Sequence, residues 1–407
     1  MDFPIGKSKL KEQIPISSSS DLDLSYQKLR ELHRKIRGLA PKWPCTLKNM
    51  NSRVELLEWM NGVTVRRLIM VSPVLYGCQY RQENGGCFPC GETYGLGRTP
   101  EVALAVKPIV DEVLKMILNS KQSPEWICWY VEGSNLNPIE CPREALEIIL
   151  TLFASIPSVK RITIESRPEF VTDEVLDLLQ KKVIESGVEI EIGIGVETRS
   201  DFIRKYCFNK GETFTWKIFE QTVHKIKEKK GLRVLAYVSL KPPFLTEKVS
   251  ITEAMETIRE CFKINVDAVS LELVSIQEFT LVEYLWLKGL YRTPWLWSAI
   301  EIVRNTQDSG EIRIGGEPYT YFPASKRAAH NCARCTARVW KTIRNYNETH
   351  RLDLFNALAC DCKEEWSRLI NNEPPSTTEE RIINASHNLS LEDYISLKLY
   401  NNLMEGN

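Results

Sequence analysis

The segment "VKRITIESRPEF", residues 159–170, indicates how the chain folds. It opens with a short apolar run and continues directly into Glu165, Ser166 and Arg167. Five other runs have the same character: "RLIMVSP" (67–73), "WICWYV" (126–131), "VEIEIGIGV" (188–196), "LRVLAYVSL" (232–240) and "VDAVSLELV" (266–274). Each run is too apolar for a strand with one face in water. Together they are typical of a parallel sheet that helices cover.

Segments with helical character lie between these runs. They are residues 99–118, 141–155, 172–186, 213–231 and 250–264, with a last helix near 295–307. Six consecutive strand-helix units predict an α/β fold built on a partial (β/α)6 TIM-like barrel. A doubly wound open sheet is the alternative that the pattern leaves open.

Around this barrel the chain divides into four predicted regions. They are an N-terminal helical and linker segment (1–53), the barrel (54–310), a cysteine-rich zinc-binding region (311–370) and a tail with one helix (371–407). The helix of the first region is expected over Tyr26–Gly38, and that of the tail from about Leu391.

Charge and hydropathy exclude some classes of partner. The 407 residues carry 53 basic and 53 acidic side chains, so no global charge favours binding to DNA or to a membrane surface. The N-terminus lacks the apolar core of a signal peptide, and no stretch approaches the roughly 18 apolar residues of a membrane span. A cytoplasmic location without membrane contact is therefore expected.

Polar residues follow all six predicted strands where the strands end. They are the cysteine-rich loop after the first strand, Glu132–Ser134, Glu165–Arg167, Glu197–Arg199, Lys241–Pro243 and Gln277–Glu278. In a (β/α) barrel the reactive groups lie on the loops after the carboxyl ends of the strands. The sequence therefore predicts one site at that end of the barrel.

Three cysteines in the first of these loops fit either an incomplete zinc site or an iron–sulfur site. Cys78, Cys87 and Cys90 are spaced C-x8-C-x2-C, among several glycines. A structural zinc site takes four protein ligands, whereas a [4Fe–4S] cluster held by three thiolates keeps one iron open for another ligand. In a reducing compartment the twelve cysteines are not expected to form mainly disulfides. The isolated ones are interpreted as small buried residues: Cys45, Cys128, Cys141, Cys207 and Cys261.

A second set of cysteines lies near the C-terminus. Cys332-x2-Cys335 and Cys360-x-Cys362 are separated by 24 residues, which matches the ligand number and hook spacing of a zinc ribbon. His330 is kept as a reserve ligand because the second hook is tighter than usual. A second iron–sulfur cluster is the alternative at this site.

The segment between the two hooks is basic. Its predicted RNA-binding residues are Arg334, Arg338, Lys341 and Arg344, with Lys326, Arg327 and Arg351 nearby. Trp340 and Tyr346 are interleaved with them, which would suit a phosphate backbone beside a base-stacking surface. The alternative is an ordinary solvated helix face.

The three-cysteine loop after the first barrel strand resembles the radical S-adenosylmethionine (radical SAM) superfamily, near its elongator-type branch. The resemblance implies a [4Fe–4S] cluster whose open iron binds S-adenosylmethionine. The eight-residue first gap departs from the usual three, and Pro89 stands where an aromatic residue usually packs near the adenine, so Phe88 is the substitute. The resemblance also implies cofactor contacts from "EGS" (Glu132, Gly133, Ser134), from Glu165 and Arg167, and from Glu197.

A more specific resemblance rests on "KPPF" (241–244), "SLELVSIQEFTLVEYLW" (270–286), "YRTPWLWSAIEIV" (291–303) and "HNCARC…CDC". These segments are similar to those of the radical SAM subunit family of archaeosine synthase. The resemblance implies action on transfer RNA whose D-loop carries 7-cyano-7-deazaguanine joined to lysine. A 5′-deoxyadenosyl radical would take a hydrogen atom from the lysine side chain, and the carbon–nitrogen bond would then break to give archaeosine.

The same resemblance implies a partner, the lysine-transferring transglycosylase-like subunit, while the electron donor stays open. From their positions at strand ends, Lys241, Glu197 and Gln277 are predicted to bind the amino-acid end of the substrate. Two other functions remain as alternatives. They are another radical SAM modification of RNA, such as methylthiolation, and a non-catalytic iron–sulfur or zinc RNA-binding protein.

Overall fold

The protein is described by a computed structural model over residues 19–40, 52–71, 77–91, 123–131, 133–211, 214–316 and 328–405, with some positions between 106 and 118. Glu132, one of the predicted cofactor contacts, lies outside the described residues, as do Cys45, Lys326 and Arg327.

One eight-stranded sheet forms the centre of the fold. Its strands are β1 (Ser52–Met60), β2 (Val63–Val71), β3 (Trp126–Tyr130), β4 (Arg161–Glu165), β5 (Glu189–Glu197), β6 (Leu232–Leu240), β7 (Ala268–Leu273) and β8 (Glu311–Ile314). They lie side by side in the order of the sequence, and every pair from β2 to β8 is parallel. A doubly wound sheet would reverse its strand order at a switch point, so that alternative is wrong. The partial barrel predicted from strands β2–β7 is confirmed.

The sheet contains two strands that the sequence pattern did not predict. Strand β1 pairs antiparallel with β2 through a turn at Asn61 and Gly62, both with positive φ (49° and 89°). An Asn-Gly pair between two strands is a strong hairpin signal. Strand β8 pairs with β7 and begins at Glu311, so the sheet continues past residue 310.

Thirteen helices are bounded in the described parts of the chain. They are α1 (Ser19–Gly38), α2 (Gln79–Asn84), α3 (Arg143–Ala154), α4 (Asp173–Ser186), α5 (Asp201–Tyr206), α6 (Trp216–Lys227), α7 (Glu247–Lys263), α8 (Leu281–Leu287), α9 (Leu296–Thr306), α10 (Thr336–Thr349), α11 (Cys362–Asn371), α12 (Thr378–Asn388) and α13 (Leu391–Glu405). Several begin at a threonine cap. For example, Thr172, Thr215 and Thr246 each accept a hydrogen bond from a backbone N–H in the first turn of their helix.

The two largest hydrophobic cores of the described residues hold these elements together. The larger core joins the outer face of the sheet to helices such as α3, α4 and α7, and it includes Trp340 and Trp366 of the C-terminal region. The smaller core contains residues of α1, α8, α12 and α13. Cys128, Cys141, Cys207 and Cys261 are buried, as predicted. Every helix among the described residues is too short or too polar to pass through a lipid bilayer.

Candidate active site and metal centre

A cavity of about 450 Å³ opens at the carboxyl ends of the parallel strands. Nine of the predicted site residues line it: Cys78, Cys87, Cys90, Gly133, Ser134, Glu165, Arg167, Glu197 and Gln277. The loops of five different strands therefore converge on one space, as the barrel interpretation requires.

The cysteine loop contributes three sulfurs to one wall of this cavity. Cys78 immediately precedes α2, and Gly85 and Gly86 turn the chain after the helix with φ values of 83° and 85°. These left-handed conformations favour glycine, because glycine has no Cβ that would clash at positive φ. The turn returns the chain so that Cys87 and Cys90 face the same cavity as Cys78.

Phe88 anchors this loop and does not line the cavity. Its backbone N–H donates to the carbonyl of Phe208 at 2.9 Å, and its fully buried ring meets the ring of His33 edge-on at 5.4 Å between centroids. The prediction that Phe88 contacts the cofactor is therefore corrected. The cavity wall at this point is formed by Pro89.

The three sulfurs do not form the compact group that the ligands of a single metal ion form. Four thiolates around one zinc ion at about 2.3 Å lie about 3.8 Å from one another. Within the described part of the chain, only the C-terminal cysteines form a group of three or more metal-binding side chains with all ligand atoms within 4.8 Å. Cys78, Cys87 and Cys90 do not meet that limit, so their spacing fits a multi-iron cluster better than one ion.

Glu140 connects the cysteine loop to the loop after β3. Its Oε1 accepts a hydrogen bond from the N–H of Gln79 at 2.8 Å, and its Oε2 accepts one from the N–H of Ser134. A Cβ at Gly133 would collide with this carboxylate. Burial raises the pKa of Glu140 despite these hydrogen bonds. The glycine therefore leaves room for a carboxylate that holds both loops in place.

Glu165 and Arg167 face the cavity after β4, but they do not pair with each other as a rim ion pair would. Burial raises the pKa of Glu165 to about 7, and the Tyr237 hydroxyl opposes the shift by donating to its carboxylate. The Arg167 guanidinium pairs with Glu169 and lies 4.9 Å from the ring centroid of Tyr80. Its Nε and Nη1 atoms are buried without a hydrogen-bond partner, so they could bind a carboxylate.

Glu197 ends β5 at an irregularity in the pairing with β6, and its φ is 64°. Its Oε1 lies 2.6 Å from the Lys210 Nζ, and its Oε2 accepts a hydrogen bond from the Ser239 hydroxyl at 2.5 Å. A Cβ at Gly195 would lie 2.6 Å from the same Nζ atom. The absence of a side chain at Gly195 therefore leaves the space in which Lys210 pairs with Glu197.

The two remaining predicted residues differ in position. The Gln277 Oε1 accepts a hydrogen bond from the N–H of Gly91, so this side chain joins the cysteine loop to the segment after β7. Lys241 does not line the cavity. Its ammonium lies 3.1 Å from the Glu247 carboxylate, whose side chain is 2% exposed. The predicted role of Lys241 in the site is corrected, because its ammonium forms an ion pair with this buried carboxylate outside the cavity.

The four C-terminal cysteines are arranged as one metal-binding group. Their sulfurs lie 3.7 Å apart for Cys332 and Cys335, 3.5 Å for Cys332 and Cys360, and 3.5 Å for Cys335 and Cys362. These separations are close to the about 3.8 Å expected around one tetrahedral ion. The reserve ligand His330 is not a member of the group. Its Nδ1 lies 3.0 Å from the Thr293 hydroxyl.

The predicted RNA-binding residues form an exposed stripe that leads into and along α10. Arg334, Arg338, Lys341 and Arg344 recur every three or four positions and are all exposed. Arg334 also pairs with Asp361 at 3.1 Å. The predicted stacking role of Trp340 and Tyr346 is corrected, because both side chains are buried and donate hydrogen bonds to backbone carbonyls of Ala329 and Ile312.

Two curated relatives are similar over most of the chain. The archaeosine synthase subunit beta of Methanosarcina acetivorans is 32% identical over 78% of this chain and 88% of its own length. The archaeosine synthase subunit beta of Thermococcus kodakarensis is 30% identical over 75% of this chain and 92% of its own length. The chain belongs to the archaeosine synthase subunit beta family.

This assignment confirms the resemblance found in the sequence. No protein-family model matches the chain. Among solved structures, a radical SAM methyltransferase from Sphaerobacter thermophilus is similar over 74% of this chain and 92% of its own, with 11% identity and a TM-score of 0.43. A similarity of that size does not decide the function.

Several residues that line the cavity in this family member were not predicted from the sequence. They are Tyr130, Lys210, Tyr237, Glu272 and Arg313. Tyr130, Tyr237 and Glu272 lie within strands, where a period of two places alternate residues inside the barrel, so alternation along each strand could have found them. Lys210 follows α5 and carries no comparable signal.

Proposed function

We propose that the chain is a radical SAM enzyme of tRNA modification. In this proposal it cleaves the carbon–nitrogen bond of the lysine adduct of 7-cyano-7-deazaguanine in the tRNA D-loop, which gives archaeosine. The observation that carries the proposal is the cavity in which three cysteine sulfurs face strand-end carboxylates and Arg167. The printed name of the relatives, archaeosine synthase, supports the choice of product.

The residues of the cavity fit the proposed cofactors. Cys78, Cys87 and Cys90 would hold a [4Fe–4S] cluster, and the unpartnered donors of Arg167 would bind the carboxylate of S-adenosylmethionine. Glu165 and Glu197 would accept hydrogen bonds from its ribose or amino group. When bound, these cofactors supply a 5′-deoxyadenosyl radical, which acid–base side chains cannot replace at an unactivated C–H bond.

The C-terminal region would bind zinc and contact the tRNA. Sulfur separations of 3.5–3.7 Å favour one tetrahedral ion over a second iron–sulfur cluster. Because a second cluster would favour methylthiolation, these separations make that alternative function less favoured. The basic stripe on α10 would contact the phosphate backbone. The proposed partner is the lysine-transferring transglycosylase-like subunit, with the single electron taken from an external donor in the cytoplasm.

Anaerobic reconstitution tests the proposal. The chain is loaded with iron and sulfide, then incubated with dithionite, S-adenosylmethionine and tRNA that bears the lysine adduct. Formation of 5′-deoxyadenosine together with loss of the adduct is expected. If 5′-deoxyadenosine appears while the adduct persists in the presence of the partner subunit, the substrate is wrong. If the loaded cluster yields neither product, the enzyme assignment is wrong.

Matched cysteine variants make this test specific. Cys87→Ala removes a proposed cluster ligand that lines the cavity. Cys261→Ala removes a buried cysteine from α7, away from the cavity. The first variant is expected to lose iron and 5′-deoxyadenosine formation, whereas the second is expected to keep both.

A further inference from the structure

Arg313 on β8 is a buried cation whose donors face the cavity without a hydrogen-bond partner. Its side chain is 6% exposed, and its Nε, Nη1 and Nη2 atoms all lack a hydrogen-bond partner. Buried guanidinium N–H groups without hydrogen-bond acceptors are costly, even with a carboxylate 3.6 Å away, so the arrangement needs an explanation. Binding of an anionic ligand would supply one.

The carboxylate nearest to Arg313 is shared with two other arginines. Glu191 lies 3.6 Å from the Arg313 Nη2, 3.7 Å from the Arg233 Nε and 3.9 Å from the Arg161 Nη1. Arg161 also pairs with Glu189 at 2.9 Å, and Arg233 with Asp267 at 3.9 Å. Among the described residues, no second carboxylate lies within ion-pair distance of Arg313. Among the described residues, Arg313 therefore depends on a single carboxylate that two other guanidinium groups share.

Arg313 and Arg167 occupy different parts of the same cavity. Arg167 follows β4, and its charge acts on the thiols of Cys78 and Cys87. Arg313 lies on β8, four strands along the sheet from β4. Its guanidinium lies 4.9 Å from the ring centroid of Trp126 in the barrel interior. The cavity thus offers two separate guanidinium groups with unpartnered donors, one on the cysteine side and one deep on the opposite edge of the sheet.

A carboxylate stands close to Arg313 on the neighbouring strand. Ser270 of β7 is in register with Arg313, so Glu272 lies one inward position nearer the cavity mouth. The Ser270 hydroxyl donates to the Glu272 Oε1 at 2.6 Å. A Cβ at Gly315 would collide with this carboxylate, so the glycine after β8 makes room for it. Glu272 and Arg313 thus present opposite charges at adjacent positions of one wall.

We propose that Arg313 binds the α-carboxylate, and Glu272 the α-ammonium, of the lysine part of the tRNA adduct. This inference rests on the proposed function and names the residues that select its substrate. The cofactor and the substrate each carry an amino-acid end, and the two guanidinium groups would bind one carboxylate each. The lysine part would enter the barrel with its amino-acid end at Arg313 and Glu272, so that its ε-nitrogen would point back toward the cysteine loop.

The test compares three substrates and four variants in the reconstituted enzyme with its partner subunit. One tRNA bears the lysine adduct, the second bears a cadaverine adduct, which lacks the α-carboxylate, and the third bears a 6-aminohexanoate adduct, which lacks the α-amine. The wild type is expected to prefer the lysine adduct in kcat/KM by roughly 10- to 100-fold, the size of a hydrogen-bonded charge contact. Arg313→Gln is expected to lose this preference, and Arg313→Lys to recover part of it.

Arg233→Gln is the matched control. It removes a cation from the same Glu191 cluster, but Arg233 does not line the cavity, so the preference should stay at the wild-type value. Formation of 5′-deoxyadenosine from S-adenosylmethionine alone is measured in every variant, since it reports the cluster and cofactor independently of the substrate. Thermal midpoints show whether a variant has lost its fold.

The outcomes separate the two proposals. If the wild type turns over none of the adducts although its cluster is intact, the proposed function fails. If the wild type turns over the lysine and cadaverine adducts equally, the enzyme does not recognise the α-carboxylate, and the role of Arg313 is refuted. The same conclusion follows if Arg313→Gln keeps the preference for lysine. Should Arg313→Gln fail to fold, the wild-type ratio and the ratio of Glu272→Gln for adducts with and without the α-amine still decide the question.

Discussion

The Nζ atom of Lys210 lies 2.6 Å from the Oε1 atom of Glu197, and both side chains line the cavity. They are 14% and 17% exposed, so the pair is largely shielded from water. Burial lowers and the nearby Glu197 raises the pKa of Lys210, and the carboxylate prevails. The lysine thus keeps Glu197 in place beside the proposed cofactor site.

Removal of one partner of this pair should reduce the stability of the fold more than removal of both partners. Lys210→Met leaves a shielded carboxylate without its cation, which costs about 3 kcal/mol. The double variant Lys210→Met with Glu197→Gln should recover part of the lost thermal midpoint. Lys181→Met, from an exposed pair with Glu185 at 3.8 Å, is the control and should change little. A double variant less stable than Lys210→Met would refute this account.

Glu165 should make stability depend on pH. Its pKa of about 7 in the folded chain lies above the ordinary 4.5, mainly because of burial. As the pH rises from about 4.5 to 7, the unfolded chain loses this proton while the folded chain still holds it, so the folded state becomes less favoured. Glu165→Gln should therefore gain thermal stability relative to the wild type as the pH rises from 5 to 8.

The control for this experiment is Glu174→Gln, which changes an exposed carboxylate in the first turn of α4. Its difference from the wild type should not grow over the same pH range. A constant difference for Glu165→Gln between pH 5 and 8 would show that the folded pKa of Glu165 is not raised.

Gly133→Ala should weaken retention of the cluster. The added methyl group would displace the Glu140 carboxylate, which accepts hydrogen bonds from Gln79 next to Cys78 and from Ser134. Iron per chain after anaerobic reconstitution is the measurement, and it should fall. Gly38→Ala meets no atom within 4 Å and should retain the wild-type iron content. Equal iron in both variants would mean that Glu140 does not position the loop.

The sequence predicted the location of the site better than the roles of its individual residues. Apolar strands that end in polar residues were enough to predict the barrel and its cavity, because both features repeat along the chain. The fates of Phe88 and Lys241 were not predictable, since each depends on a tertiary contact with a distant or buried partner. Arg313 was missed because β8 is only four residues long and follows the last clear strand-helix unit.

The basic stripe on α10 should contribute to tRNA binding in proportion to its charge. Arg338→Gln with Lys341→Gln removes two exposed cations, so affinity should fall and the slope of log affinity against log salt should decrease by about 1 to 2. Lys181→Gln with Lys217→Gln removes two exposed lysines from α4 and α6 and serves as the control. An unchanged salt slope in the α10 variant would identify the stripe as an ordinary solvated face.

The four C-terminal cysteines should bind zinc that is independent of the iron. Cys360→Ser removes one of four sulfurs in a group that also receives a hydrogen bond, at 3.3 Å, from the Trp297 Nε1–H to the Cys362 Sγ. Zinc per chain should fall from about one to near zero, and the thermal midpoint should drop because the ion crosslinks α10 and α11. Iron bound after reconstitution should stay at the wild-type level, since Cys78, Cys87 and Cys90 are unchanged. Cys261→Ser, which alters a buried cysteine outside the group, should keep its zinc. Loss of several iron atoms in Cys360→Ser, with no zinc in the wild type, would instead establish a second cluster at this site.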